Sequence, residues 1–373
     1  MNNNVFNVLT LSNKKSELNT TRYIEMTKFR RNFKLWDKAF SSIVLTEEPM
    51  RNGKDYFIFQ CQKKCGGWGD RMKGAMFAYI VANLTGRIFK ARFVKPDCDY
   101  SNYLVPNRYD WYLSKNFTPA SNETVFNNHF GDSRLRDKME STNLTEKFKL
   151  NKKYHFFSGN LQFIINLKNN TMYKDQISWM KDLNRADIYA AIYTRLFRLS
   201  DRLQSTLNHV LDQALPTRQH RLICVHVRLG EAAIQSDPIR MSIEKLPKVW
   251  AWIENQTRSD LDKVFVTSDS HKVVELAYNQ TFGDRVISFP GAVIHSDKYK
   301  EARLRNKTLL CSGMERMILE YHTLMNCDIL VKGHSGLSAL ASMVRGTNQG
   351  LYCLQKTGDI VPCKRDKFRP EFL

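Results

Sequence analysis

The sequence has no long apolar segment. Its best uncharged apolar run, Ala75 to Leu84, is about half of the roughly 18 residues that a membrane-spanning helix needs. The first residues, MNNNVFNVLTLSNKKSE, lack the basic start, apolar stretch and small-residue cleavage site of a signal peptide. We therefore expect no membrane span in this chain, and no secretion address is visible in it.

Several ligand-binding motifs are also missing. The chain has neither a G-x-G-x-x-G nor a Walker sequence, which argues against a nicotinamide or ATP site. It has no C-x-x-C pair and no closely spaced histidines, which argues against structural zinc. The segment Asp97-Cys98-Asp99 matches the D-x-D pattern of manganese-dependent glycosyltransferases, but chance alone supplies such a match in 373 residues. The sequence predicts no metal site.

Positive charge is what the chain has in excess. Its 57 Lys and Arg against 37 Asp and Glu give a formal charge of +20, which indicates an anionic partner. The basic residues are spread along the whole length, whereas nucleic-acid-binding proteins interleave them with aromatics on one face. We therefore expect an anionic ligand other than nucleic acid. With 42% hydrophobic residues, the 373-residue chain can fill two globular cores.

Cysteines and glycosylation patterns point to an oxidising compartment. Eight cysteines form an even set that allows up to four disulfides, with at least two expected. Cys224 lies in the middle of a predicted strand and is expected to remain a buried free thiol. The N-x-[ST] pattern suggests the lumen of the Golgi or endoplasmic reticulum, although compositional bias is an alternative and Asn83 falls in a predicted helix where no glycan fits. The pattern occurs at Asn19, Asn83, Asn116, Asn122, Asn143, Asn169, Asn255, Asn279 and Asn306.

The chain divides into three parts. Residues 1–52 are polar, which predicts a tail or stem. We expect residues 53–216 to form a first Rossmann-like domain and residues 217–373 to form a second. In the second domain, strand-like runs alternate with helical patterns, which favours a parallel sheet covered on both faces. The predicted strands there are 221–228, 263–269, 285–289, 328–333 and 350–354. The expected fold is α/β, with two Rossmann-like domains facing a cleft.

In the first domain the pattern is less regular. A strand at 55–61 leads to a glycine-rich loop, Cys65 to Gly74, and then to an apolar helix. Residues 95–150 predict loops, and 154–160 a strand. The amphipathic stretch Ala186–Ala214 predicts one long helix that links the two halves.

Three segments could bind an anion at strand ends. Gly67 and Gly69 stand between a strand and a helix, where backbone N–H groups can face a phosphate or simply make a tight turn. His226 and Arg228 end the strand of VHVRLG on one face, where Arg228 could grip a diphosphate or pair with a carboxylate. Ser335 to Ser338 form a turn into a helix, which could cradle phosphate or merely cap that helix.

The order of these motifs resembles the superfamily of alpha-1,2-, alpha-1,6- and protein O-fucosyltransferases. The similarity runs from about Tyr56 to Lys356 through GGWGDR, HVRLG, VFVTSD and HSGLSALAS. It implies a GT-B-like fold and metal-independent, inverting transfer of fucose from GDP-fucose to a glycan or glycoprotein hydroxyl. Asp70 departs from the family pattern, which often reads G-x-G-N.

The resemblance also implies site residues. Arg228 would bind the diphosphate with His226 beside the nucleotide, and Asp269 would recognise guanine. The turn of Ser335, Gly336, Leu337 and Ser338 would contact phosphate.

Catalysis by this route needs charge stabilisation and a base. Charge develops on the leaving diphosphate, so preorganised donors such as Arg228 supply the largest gain. Asp70 and Glu231 are the two carboxylates that could remove the acceptor proton. Alternatively, Asp70 only caps the helix after the glycine turn, and Glu231 is only a solvated loop carboxylate.

Two other classes of protein remain open. One is a catalytically inactive carbohydrate- or polyanion-binding protein of the same fold. The other is a sulfotransferase, which would carry a Lys in its donor phosphate loop, whereas the glycine-rich segment GGWGDRM has none until Lys73.

Overall fold

The computed structural model describes residues 55–61, 66–217, 219–230, 239–296 and 306–366. The predicted tail, 1–52, lies outside the described residues, as does Glu231. The first half contains β1 (Tyr56–Gln60), α1 (Trp68–Leu84), β2 (Ile88–Arg92), β3 (Leu104–Pro106), β4 (Thr124–His129), α2 (Ser133–Lys138), α3 (Leu144–Lys147), β5 (Tyr154–Gly159), α4 (Phe163–Leu167), α5 (Arg185–Leu196), β6 (Phe197–Leu199) and α6 (Asp201–Ala214). The second half contains β7 (Arg221–Val227), α7 (Leu246–Gln256), β8 (Asp262–Ser268), α8 (His271–Tyr278), β9 (Val286–Ile287), α9 (Lys307–Met325), β10 (Ile329–Lys332), α10 (Gly336–Val344), β11 (Leu351–Leu354) and β12 (Ile360–Pro362).

The strands form two main sheets. The first has the order β2-β1-β5-β4 and is parallel throughout. The second has the order β12-β11-β10-β7-β8-β9 and is parallel except for β12, which runs antiparallel to β11. Alternating strands and helices produce this arrangement, because parallel neighbours need a crossover connection. The expected α/β fold with parallel sheets is confirmed.

Helix α1 is buried on nearly every side. Residues 75–82 are at most 1% exposed, and the helix packs on β1 and β2 and against α10 and α5. An apolar sequence without a polar stripe is typical of a helix enclosed between layers. The helix begins at Trp68, so the predicted glycine loop to Gly74 was too long. Gly74 is helical, and a Cβ there would lie 2.0 Å from the carbonyl oxygen of Gly159.

The predicted long helix at 186–214 is wrong. Residues 197–199 form β6, which pairs antiparallel with β3 and separates α5 from α6. Phe197 and Leu199 are buried while Arg198 is exposed, so this tripeptide follows the period of a strand. Ser200 then begins α6, because its side chain accepts a hydrogen bond from the backbone N–H of Leu203. Residues 95–150 also contain more structure than predicted, since β4 forms an edge of the first sheet.

Two disulfides connect distant parts of the chain, and a third closes a short loop. Cys98 bonds to Cys311, Cys353 to Cys363, and Cys224 to Cys327; Cys61 is disulfide-bonded as well. The expectation of at least two bridges is confirmed, but that of a free thiol at Cys224 is wrong. Cys327 lies between α9 and β10, the strand beside β7, which brings its sulfur to the Cys224 side chain. Within the described ranges, no helix is both long and apolar enough to cross a bilayer.

Candidate functional site

The loop after β7 is held by one carboxylate. Asp269 follows β8, and its Oδ1 and Oδ2 accept hydrogen bonds from the backbone N–H groups of Leu229 and Gly230, both at 2.9 Å. Its Oδ2 also lies 3.3 Å from Nε of Arg228, whose side chain is 15% exposed. Because β7 and β8 are parallel neighbours, both segments leave the sheet at the same edge. Asp269 therefore fixes the position of the Arg228 guanidinium.

This arrangement bears on the guanine role expected of Asp269. Both carboxylate oxygens are already engaged with the loop that carries Arg228. The residue is 6% exposed. The structure thus gives Asp269 a positioning function, and recognition of guanine stays a prediction.

His226 is a neutral, buried neighbour of Arg228. It is 3% exposed, and burial, followed by the positive charge of Arg228, lowers its pKa to about 4. Its Nδ1 has no hydrogen-bond partner among the described residues. The backbone of Gly333, after β10, packs against it, and a Cβ there would lie 2.3 Å from the carbonyl oxygen of His226. Gly333 was not singled out from the sequence, where it was the last residue of the predicted strand 328–333.

The α10 turn presents its N-terminus at the same sheet edge. Ser335 is the N-cap, and its Oγ accepts a hydrogen bond from the N–H of Leu337 at 3.3 Å. Ser338 is fully buried and donates its hydroxyl to the carbonyl of Gly333. Ser335, Gly336 and Leu337 are half-buried and border the solvent. The turn offers backbone N–H groups and the positive end of a helix dipole to an anion.

The α1 turn is capped by its own carboxylate. Oδ2 of Asp70 accepts a hydrogen bond from the N–H of Gly67 at 3.1 Å, and its Oδ1 lies 2.8 Å from Nζ of Lys73. The Asp70 side chain is 30% exposed. Its geometry is that of a capping residue, and a role as general base stays a prediction.

The two turns meet at a pair of glycines. A Cβ at Gly69 would lie 2.3 Å from the carbonyl oxygen of Gly336. The first turn of α1 therefore touches the first turn of α10, and each begins at the carboxyl end of a strand. The structure thereby brings Gly69 of the first half to the predicted Ser335–Ser338 turn of the second.

A buried arginine connects the α1 turn to Ser296 of the second half, next to the contact of Gly69 and Gly336, which we call the junction. Arg71 is 1% exposed, and its Nη2 donates to the carbonyl of Ser296 at 2.6 Å while its Nε donates to that of Gly66 at 3.2 Å. It also donates to the carbonyl of Lys95. This places His295 beside the glycine loop, since Nε2 of His295 lies 3.9 Å from the position of a Cβ at Gly67. Neither Arg71 nor His295 was singled out, because partners about 225 residues away leave no local pattern.

The Asp97-Cys98-Asp99 segment has structural roles. Asp97 pairs with Lys307 at 2.8 Å, and the hydrogen bond from Lys307 lowers the pKa of its carboxyl against a smaller opposing effect of burial. Asp99 caps a short helical turn, and Cys98 is in a disulfide. Across the described parts of the chain, no group of three or more His, Cys, Asp or Glu is arranged to hold a metal ion.

Comparisons with known proteins show similarity in structure only. No protein-family profile matches the chain, and no curated protein does. An arginine-to-lysine variant of Arabidopsis thaliana FUT1 in complex with GDP aligns with a TM-score of 0.55 and 13% identity, over 88% of this chain and 78% of that one. The chain has a fucosyltransferase-like fold.

A second solved structure is similar over a comparable length. NodZ alpha-1,6-fucosyltransferase from Bradyrhizobium, soaked with GDP-fucose, aligns with a TM-score of 0.48 and 13% identity, over 82% of this chain and 98% of that one. The similarity to the FUT1 structure confirms the GT-B-like expectation for the fold.

Proposed function

We propose that the protein is a metal-independent, inverting fucosyltransferase that uses GDP-fucose as donor and a hydroxyl of a glycan or glycoprotein as acceptor. The observation that carries this proposal is the shared position of Arg228 and the α10 turn. Gly333 packs against His226, so the parallel strands β7 and β10 end side by side. The chain then continues from β7 to Arg228 and from β10 to Ser335. A diphosphate placed there would meet a guanidinium and a helix N-terminus together.

These groups suit the chemistry of the leaving group. In the transfer, the acceptor oxygen bonds to the anomeric carbon of fucose, the bond to the diphosphate breaks, and its electron pair leaves with GDP. Arg228 is fixed by Asp269 before the reaction, so its charge needs no reorganisation when the diphosphate gains negative charge. The acceptor proton passes to a base on the α1 side, where Asp70 and His295 lie near Gly67.

The similarity to a GDP complex supports the donor class. The FUT1 structure named above contains GDP, and this chain has a similar fold. The formal charge of +20 is also favourable for a doubly charged nucleotide sugar and for a secretory acceptor bearing anionic groups.

Donor hydrolysis tests the proposal directly. GDP or UDP release would be measured with GDP-fucose, GDP-mannose and UDP-galactose, together with calorimetric binding of GDP and GMP. We expect turnover with GDP-fucose alone and weaker binding of GMP, which lacks the second phosphate. Turnover with a UDP-sugar, or equal binding of GDP and GMP, would refute the proposed site. Tight binding of GDP-fucose without any turnover would support the inactive binding protein instead.

A further inference from the structure

The glycosylation patterns of this chain are unusually uniform. All nine N-x-[ST] sequences end in Thr and none ends in Ser, although the chain has 24 Ser and only 21 Thr. With 28 asparagines, a random order of the same residues would give about two sequences of each kind. An excess confined to Thr is not explained by an abundance of asparagine. It indicates selection for the acceptor sequence itself.

The side-chain amides of these asparagines differ in availability. The amide nitrogen carries an N-linked glycan, so the whole side-chain amide must be exposed and free of hydrogen bonds, because a bonded oxygen also fixes the orientation of the nitrogen. Asn83 is half-buried in α1 with a buried Nδ2, and Asn143 uses its side chain to cap α3. Asn169 donates to Glu140, and Asn306 caps α9. The Asn83 amide is therefore buried, and the other three side chains are held by hydrogen bonds.

Four other sites meet both requirements. Asn116, Asn122, Asn255 and Asn279 are exposed, and within the described ranges none of their side chains makes a hydrogen bond. Asn122 lies in the turn just before β4, Asn255 in the last turn of α7, and Asn279 directly after α8. Asn19 lies outside the described residues.

Three of these sites lie away from the junction, the contact of Gly69 and Gly336. Asn122 precedes β4, Asn255 precedes β8 and Asn279 precedes β9, so they lie toward the amino ends of these strands. A hydrogen bond from Arg221, the first residue of β7, to the carbonyl of Gln256 fixes the Asn255 region at that edge. The α1 and α10 turns instead begin at carboxyl ends of strands. Glycans at these sites would leave the junction uncovered.

We propose that Asn116, Asn122, Asn255 and Asn279 carry N-linked glycans, and that the glycans at the last three cover the sheet edges opposite the junction. In the transfer, the amide nitrogen bonds to the anomeric carbon of a lipid diphosphate-linked oligosaccharide and loses a proton to a base of the transferring enzyme. The bond from that carbon to the lipid diphosphate breaks, and the diphosphate leaves with the electron pair. Occupancy of the four asparagines does not depend on the chain's own activity, and only the measurement of GDP binding after deglycosylation rests on the proposed function.

Site occupancy tests the proposal. The full chain would be expressed behind a cleavable secretion signal in a eukaryotic cell and deglycosylated in heavy-oxygen water, which tags each formerly occupied asparagine as aspartate. We expect tags at the four asparagines and none at Asn83 or Asn143. Absence of a tag at all four, or comparable occupancy of Asn83, would overturn the proposal.

Paired variants identify each glycan without relying on one substitution. Asn255→Gln and Thr257→Ala should each remove one glycan, seen as the same single shift in gel mobility. Asn279→Gln and Thr281→Ala should likewise each remove one glycan. Asn83→Gln should leave the glycan mass unchanged. A step lost in Asn255→Gln but retained in Thr257→Ala would show that the modification is not N-linked glycosylation. Enzymatic deglycosylation of the folded protein should leave the Kd for GDP unchanged, whereas a change of tenfold or more would place a glycan at the junction.

Discussion

Gly69 and Gly336 are in contact across the two halves of the chain, each in the first turn of a helix. A Cβ at Gly69 would lie 2.3 Å from the carbonyl oxygen of Gly336, a distance that real Cβ atoms do not reach. Among the described residues, a Cβ at Gly336 would meet only the Cα of Gly69, at 3.7 Å, which is an ordinary contact. The approach of the two helices therefore depends on one glycine of the pair.

Gly69→Ala should separate these helices, whereas Gly336→Ala should be tolerated. We expect Gly69→Ala to destabilise the protein by about 1–3 kcal/mol, as overpacking of a tight contact does. Chemical denaturation of both variants measures the difference. Equal stability of the two would show that the close approach of the helices is not required.

Asp269→Asn should release the loop that carries Arg228. An amide has a single oxygen, so one of the two N–H groups that Asp269 now binds would lose its acceptor, and the pairing with Arg228 would weaken. We expect the Kd for GDP to rise by about tenfold, equivalent to about 1.4 kcal/mol. Asp359→Asn, which breaks an exposed pair with Lys248, is the matched control and should bind GDP normally. An unchanged Kd in Asp269→Asn would exclude the positioning role.

Much of the candidate site could be predicted from the sequence, and the parts that could not be predicted depend on contacts between distant segments. Strand periodicity and strand-end position are local signals, so they located His226, Arg228 and the Ser335 turn, while the family resemblance added Asp269. The contact between Gly69 and Gly336, by contrast, depends on how two sheets approach each other, which no short segment encodes. The break between α5 and α6 was also missed, because the short β6 is stabilised by pairing with β3, far away along the chain.

Buried histidines should make the protein sensitive to acid. Burial lowers the pKa of His155 and His226 to about 4 and that of His322 to about 3, against about 6.5 in the unfolded chain. Between pH 6.5 and 4 the unfolded chain therefore binds more protons than the folded one, and stability falls as the pH is lowered through this range. Above pH 6.5 this contribution is fully present and constant.

His322→Gln tests this source of acid sensitivity. Each such histidine can cost on the order of 3 kcal/mol by pH 4, so the variant should lose less stability between pH 7 and pH 4 than the native protein. The measurement is the free energy of unfolding in urea at a series of pH values. His209→Gln, at an exposed position, should keep the native profile. A profile for His322→Gln that matches the native one would contradict the assignment.

Activity should survive removal of divalent metals. The proposed site neutralises the diphosphate with Arg228 and a helix N-terminus, and Asp97 is paired with Lys307 on the surface. We expect the same rate of transfer from GDP-fucose in EDTA as in manganese. Loss of turnover in EDTA with recovery in manganese would require a metal at the diphosphate and would contradict this mechanism.

Arg228 should contribute more to turnover than to acceptor binding. Its charge acts on the leaving diphosphate, so its effect grows as the transition state is approached. Removal of one preorganised donor of this kind typically lowers turnover by about 100- to 1000-fold, which we expect for Arg228→Ala, with the KM for the acceptor little changed. Arg228→Lys keeps the charge but loses the planar fork of donors, so it should remain strongly impaired.

A purely structural role for Arg228 predicts a different outcome. If its pairing with Asp269 only stabilised the fold, Arg228→Ala would lower the Tm and leave the activity per folded molecule nearly intact. Arg202→Ala is a matched control, because Arg202 forms an exposed ion pair with Glu315. Surface ion pairs contribute about 0–1 kcal/mol, so this control should change neither Tm nor turnover appreciably. Both quantities would be measured on the same preparations, and a folded Arg228→Ala protein with normal turnover of GDP-fucose would end the proposed mechanism.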